Sequence, residues 1–336
     1  MFEVSKLSNL IKVCLAGLND RQQEIVEGRY GLNKAESLTL AELGTDYGLT
    51  RERVRQIEAL ALKATRQKAE GSEFGDFAKA VASLLKTVGG LKREDVLVAD
   101  LVKVSNISPE QANRIKFLLE ICGKFSYSKD DKDFHPYWYL GEADQKKAVS
   151  FISQLVKIAD RGNFAASFAS AAKNSGLSDG VARNYASISK KVAVNLYGDL
   201  GLSDWPEINP KTARDWAYLV LKKQQKPLHF NDIAALVTKM RNKSAHAPTV
   251  HNELIKDENF VLVGKGTYTL KEFGVTPGTA REIIAHYLKK NGPLAAKDVV
   301  KMVLKERLFK ENTILINLQN RRNFKRMDDG RYSVLA

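Results

Sequence analysis

Four side chains with hydrogen-bonding patterns matched to base edges, Arg51, Glu52, Arg55 and Gln56, fall within the run Thr50-Arg-Glu-Arg-Val-Arg-Gln-Ile-Glu58. Arginine can grip guanine O6 and N7 with two donors, glutamine can pair with adenine, and glutamate can accept from cytosine N4. At helical spacing the four cluster on one face, while Val54, Ile57 and Ala61 recur at i, i+3 and i+7 as an apolar stripe on the other. The same spacing also describes a solvated helix surface laced with pairs one turn apart. What separates the two readings is how the helix is held. Thr50 supplies an N-cap, and Glu52 stands in the first turn, where the helix dipole favours an anion. Upstream, Thr39-x-x-Glu42 reads as a capping box that opens a short helix, and Gly48 can take the left-handed conformation that ends it. Two helices joined by a tight turn make a helix-turn-helix, whose second helix meets a major groove with its N-terminal face.

Charge points the same way. The 336 residues carry 53 Lys and Arg against 39 Asp and Glu, a formal net charge of +14. Residues 211–336 alone hold 24 Lys and Arg against 12 Asp and Glu, a net of +12. Such an excess marks a surface facing a polyanion, or else simply a very soluble one. This basic segment contains an internal repeat of about 67 residues. Each copy opens on a threonine N-cap with an acidic residue three positions on (Thr212 and Asp215; Thr279 and Glu282) and continues through an apolar face to a Lys-Lys pair and a Pro-Leu dipeptide. A second helix follows in each, then a third over about Thr249 to Lys256 and Thr313 to Asn320. Each copy closes with two β-favouring runs about a glycine turn, Phe260 to Leu270 around Gly264-Lys265-Gly266 and Phe324 to Val334 around Asp328-Asp329-Gly330. Three helices and a hairpin follow the winged-helix order.

Residues 18–68 closely resemble region four of primary-type bacterial sigma factors, and Thr50 to Glu58 reads as that family's recognition-helix signature without a substitution. The resemblance implies that Arg51, Glu52, Arg55 and Gln56 contact the bases of a promoter −35 element, with Thr39, Thr50 and Arg53 nearer the phosphates. It also implies docking on the flap of the RNA polymerase β subunit. Nothing elsewhere in the chain resembles the family's aromatic-rich promoter-melting segment. The C-terminal repeats, through Trp205-Pro-Glu-Ile-Asn-Pro210, Lys226-Pro-Leu-His-Phe230 and Thr249-Val-His-Asn-Glu-Leu254, resemble the HARE-type winged helix, a domain that also occurs in the delta subunit of RNA polymerase and beside DNA-modifying modules. If the third helix of each copy enters a groove, His251, Asn252 and Lys256 face DNA from the first and Asn317, Asn320 and Arg321 from the second, with Lys265, Arg322, Lys325 and Arg326 on the backbone. HARE-type modules equally bind protein.

The expected fold is mainly α, a multi-domain array of helix-turn-helix and winged-helix units. It comprises a sigma region-four-like helix-turn-helix (1–70), a divergent winged helix (71–140), a helical linker domain (141–207), a HARE-type winged helix (208–274) and a second winged-helix repeat (275–336). Within these, Ser108-Pro109-Glu110-Gln111 starts a helix running to Cys122, and three further helices cover Gln145 to Asp160, Asn163 to Asn174 and Val181 to Leu196. The expected partners are promoter DNA and core RNA polymerase. An accessory protein that grips polymerase without reading bases, and the targeting subunit of a DNA-modification system, are the other readings.

The remaining signals are exclusions. Two cysteines, Cys14 and Cys122, make neither a disulfide framework nor a metal site, and the five histidines never take ligand spacing. Gly264-Lys265-Gly266-Thr267 lacks the first glycine of a P-loop, and Asp130-Asp131-Lys132-Asp133 lacks the glycine and terminal glutamate of a calcium loop. The expectation is a protein that is not an enzyme, needs no cofactor or metal, does not enter the membrane and resides in the cytoplasm with the nucleoid, since neither a secretory signal nor a spanning apolar run is present.

Overall fold

Local capping signals set the first elements. The computed structural model describes residues 4–33, 36–69, 72–105, 108 and 111–335. The protein is mainly helical with small sheets, and its chain forms two compact units, residues 1–193 with 200–203 and residues 194–199 with 204–336. Among the described residues no helix is long and apolar enough to cross a membrane.

The first unit opens with α1 (Val4–Leu15), α2 (Asp20–Tyr30), α3 (Leu40–Tyr47) and α4 (Arg51–Lys68). Next come α5 (Ser72–Thr87), β1 (Leu91–Arg93), α6 (Glu94–Val104), α7 (Ala112–Cys122), β2 (Ser126–Ser128) and β3 (Tyr137–Tyr139). The three strands form an antiparallel sheet in the order β1-β3-β2, with Trp138 opposite both Lys92 and Tyr127. The expected start of α7 at Pro109 and Glu110 lies outside the described residues. α4 has 18 residues, about 27 Å at ~1.5 Å per residue, and its two halves belong to different cores. Val54, near its start, packs with Ile25 and Leu43 in a small cluster flanked by Leu38, Tyr47, Leu49 and Ile57. Ala61 and Leu62, further along, join a larger core with Leu10, Cys14, Phe77, Leu85, Leu97, Phe117 and Trp138. The helix-turn-helix is therefore built onto residues 72–140 through a shared core, not tethered to them by a linker.

The rest of this unit is α8 (Glu142–Ile158), α9 (Phe164–Asn174), α10 (Asp179–Ile188), β4 (Val192–Val194) and β5 (Leu200–Leu202). Phe151 meets Phe168 and Tyr185 at ring separations of 6.0 and 6.2 Å. The Tyr185 hydroxyl donates to the Gly89 carbonyl (2.7 Å) and Asn184 Nδ2 to those of Val88 and Leu91 (2.9 and 2.7 Å). Gly89 has φ 89°, and a Cβ there would lie 2.5 Å from Val181 Cγ1, so this approach requires glycine. A helix expected from Val181 to Leu196 instead stops at Ile188. The Ile188 carbonyl accepts from His135 N and the Lys190 amide donates to Asp133 O, both at 2.8 Å, so a tertiary backbone pairing draws this stretch out of the helix.

In the second unit the order helix, short strand, two helices, hairpin, already seen over residues 72–139, recurs. The elements are α11 (Ala213–Gln224), β6 (Leu228–His229), α12 (Phe230–Arg241), α13 (Ala247–Lys256), β7 (Phe260–Gly264) and β8 (Thr267–Leu270), with strand order β6-β8-β7. The second copy has α14 (Ala280–Asn291), α15 (Ala296–Glu306), α16 (Glu311–Leu318), β9 (Phe324–Arg326) and β10 (Tyr332–Val334). A bridge from Leu294 to Tyr332 stands in for the short strand. The capping boxes Thr212/Asp215 and Thr279/Glu282 form at the starts of α11 and α14. Each copy has its own apolar core, one around Val220, Ile233, Leu254 and Tyr268, the other around Ile284, Val300, Ile314 and Phe324.

Candidate nucleic-acid interface

The turn between α3 and α4 is held by bonds that the sequence places within a few residues of one another. Thr39 Oγ1 accepts from the Glu42 amide (3.2 Å) while the Thr39 amide donates to Glu42 Oε2 (2.7 Å), a closed capping box that keeps the Glu42 carboxyl below its usual range. Gly48 ends α3 at φ 64°, and the Leu49 amide returns to the Gly44 carbonyl at 2.8 Å. Thr50 Oγ1 accepts from the Arg53 amide at 3.2 Å and starts α4. Thr39 and Thr50 thus serve first as caps. Each hydroxyl still has its own proton to donate outward, and both residues are exposed.

Val54 is fully buried beneath the first turns of α4, which orients the residues around it. Arg51, Glu52, Arg53, Arg55 and Gln56 are all exposed among the described residues. They are not independent of one another. Arg55 donates through Nε and Nη2 to the two Glu52 carboxylate oxygens, at 2.9 and 2.6 Å, and Arg53 Nη1 donates to Gln56 Oε1 at 3.1 Å. The bond from Arg55 holds the Glu52 carboxyl below the usual range and raises the guanidinium of Arg55. A two-pronged pair fixes both planes side by side while solvent still screens the charges. The i, i+3 spacing of Glu52 and Arg55 gives one of the pairs one turn apart that a solvated helix surface also carries. Behind the exposed face, Arg29 reaches Glu58 at 3.3 Å, where burial raises the Glu58 carboxyl.

The candidate contacts in the repeats are placed unevenly. His251 is half-buried, its ring stacked on Phe230 at 4.3 Å and edge-on to Tyr268 at 5.7 Å, so it forms part of an aromatic column inside the first repeat. Asn252 and Lys256 are exposed on α13, and Lys265 is exposed at the hairpin turn. Asn317 is half-buried and donates to the Thr313 carbonyl at 2.8 Å, while Asn320 Oδ1 accepts from the Arg322 amide at 3.0 Å and shapes the turn after α16. Arg321, Arg322, Lys325 and Arg326 stand exposed around that turn and on β9. Of the two thiols, Cys14 is buried, which pushes its pKa up to about 12, and Cys122 is half-buried and shifted the same way.

A capped helix-turn-helix with an exposed, charged second helix is the class of structure that residues 19–68 define. Residues 14–67 match the family described as Sigma-70, region 4. Over 71 residues the chain is 38% identical to RNA polymerase sigma factor SigA of Listeria monocytogenes and, equally, to RNA polymerase sigma factor SigA of Listeria innocua. Those alignments cover 21% of this chain and 19% of each relative, so the chain spans about a fifth of the length of the curated relatives it matches.

Proposed function

We propose that this chain is a DNA-binding, sigma-like transcription regulator that reads a −35-type promoter element with Arg51, Glu52, Arg55 and Gln56, while Thr39, Thr50 and Arg53 contact phosphate. One observation carries the reading. The base-reading quartet projects from a capped, solvent-facing helix within the residues that match sigma-70 region 4. On this reading residues 208–274 and 275–336 are tandem winged helices of HARE type that add contacts to DNA or polymerase, and residues 71–140 are a divergent third. The repeated order of helix, short strand, two helices and hairpin supports it. The β flap of RNA polymerase is the proposed protein partner of the N-terminal part. The protein acts through binding, not catalysis, in the nucleoid.

Selection of bound duplexes from a random pool tests the reading directly. The expected outcome is one enriched motif whose preference at one base pair is lost in the Arg55→Ala variant. A pool that emerges without sequence preference overturns it. A parallel pull-down with core polymerase, with and without its flap, tests the partner.

A further inference from the structure

Laid over one another at the hairpin, the two repeats differ where they look most alike. Asp257-Glu258-Asn259-Phe260-Val261-Leu262 in the first aligns with Arg321-Arg322-Asn323-Phe324-Lys325-Arg326 in the second. Two acids and two apolar residues stand where the second copy has four cations. The structure shows what each set does. On the first hairpin, the buried Arg307 from the end of α15 donates to the carbonyls of Leu262 and Thr276, and the Leu308 amide bonds the Val263 carbonyl at 2.8 Å. A Cβ on Gly264 would lie 2.8 Å from Leu308 Cβ, so glycine is needed for this approach. The outer edge of β7 is therefore occupied by the second repeat.

Among the described residues, the outer edge of β9 in the second hairpin has no such neighbour. Its sheet is just β10-β9, with Arg321, Lys325 and Arg326 around an open cleft of about 630 Å³ that Gln319 and Tyr332 also line. Pairing of charge differs at two corresponding positions, although the second hairpin's own Arg331 pairs with Asp329 at 2.6 Å and, among the described residues, Lys256 and Lys265 of the first repeat have no carboxylate within ion-pair distance. In the first repeat Arg214 pairs with Glu253 (3.4 Å) and Asp257 (3.1 Å), and Lys223 pairs with Asp199 (2.7 Å). Their counterparts Arg281 and Lys290 are exposed and, among the described residues, have no carboxylate within ion-pair distance; nor do Arg321, Arg322, Lys325 and Arg326.

We propose, building on the DNA-binding reading above, that of the two repeats it is the second that grips the phosphate backbone of duplex DNA, through Arg321, Arg322, Lys325 and Arg326, while the first repeat's hairpin is an internal dock that Arg307 locks in place. Unpaired cations release counterions when they meet phosphate, whereas cations already paired must first give up a partner. An acidic protein fits less well, because protein interfaces anchor on large apolar side chains and Leu335 is the exposed one at this cleft.

The test measures affinity of the full-length chain for a synthetic duplex of random sequence across about 50 to 200 mM salt. Replacing Arg321, Arg322, Lys325 and Arg326 together by Gln should flatten the log-log salt slope by about 3 to 4, at ~0.9 per phosphate contact. Replacing Lys256, Lys265 and Lys271 by Gln should change it by less than about 1. All seven positions are exposed, and circular dichroism of each variant confirms the fold. Equal losses in both variants overturn the proposal, as does an unchanged slope in the first variant accompanied by lost polymerase binding. Arg55→Ala, run beside them on the selected motif, separates the two claims. If it leaves sequence preference intact while the slopes still divide between the repeats, base readout fails and the asymmetry stands.

Discussion

Helix α4 and the second repeat's hairpin both present exposed cations, yet they hold them in opposite ways. On α4 the charged and amide groups are bonded to one another, Arg55 to Glu52 and Arg53 to Gln56. Around β9, Arg321, Arg322, Lys325 and Arg326 stand without carboxylate partners among the described residues. Base readout needs donors and acceptors at fixed positions, and mutual pairing limits the rotamers each side chain samples. Phosphate contact needs charge whose release of counterions drives binding, and geometry matters less. If the proposed roles hold, the contrast teaches that positive charge alone does not distinguish a reading surface from a gripping one. What surrounds each cation does.

The largest blow to one side of this comparison is Ile25→Ala. It empties a cluster of just three fully packed side chains beneath α4 and should cost ~2–5 kcal/mol, read by urea unfolding, with sequence-specific binding lost and the salt-dependent, non-specific part retained. Next, Arg55→Ala should remove ~1–3 kcal/mol of discrimination at one base pair while moving the salt slope little; a large slope change with intact specificity would reverse the assigned roles. Thr39→Ala should lower stability by ~1 kcal/mol through loss of the N-cap. The capping box also has a pH signature. The Glu42 carboxyl sits below its ordinary value in the folded state, so its contribution is fully present above the usual carboxylate range and fades as pH falls through the depressed folded value. Because Thr39→Ala keeps the backbone amide that mainly lowers this carboxyl, it is a Glu42→Gln variant whose acid titration should show a smaller loss over that range than the parent does. The smallest effect is expected from Asp257→Asn with Glu253→Gln, which frees Arg214 in the first repeat and should steepen the salt slope by at most about 1.

Legibility followed the range of the interaction. The boxes at Thr39 and Glu42, Thr212 and Asp215, and Thr279 and Glu282 join residues three apart, so residue type and spacing were enough to place them. The helix expected over Val181 to Leu196 failed for the converse reason. Nothing local to residues 188–190 announces that residues 133–135 will pair with them. His251 looked like a groove-facing side chain on a third helix, but Phe230 and Tyr268, distant in sequence, draw its ring into a column. Arg307 is the sharpest instance. A charged residue at a helix end reads as solvated, whereas here the carbonyls of Leu262 and Thr276 accept from a buried guanidinium.

Taken alone, the amino-acid order determined where helices start, which face of α4 is polar, that the basic half repeats itself, and that its two hairpins carry different charges. Those properties depend on neighbours a few positions away, or on simple counting. The tertiary structure alone decided that α4 straddles two cores, that its first turns stay open to solvent, and that, among the described residues, the second repeat docks on the outer edge of β7 while the outer edge of β9 has no such neighbour. Each of these is a question of which distant backbone and side-chain groups satisfy one another once water is excluded, and spacing along a chain carries no record of that.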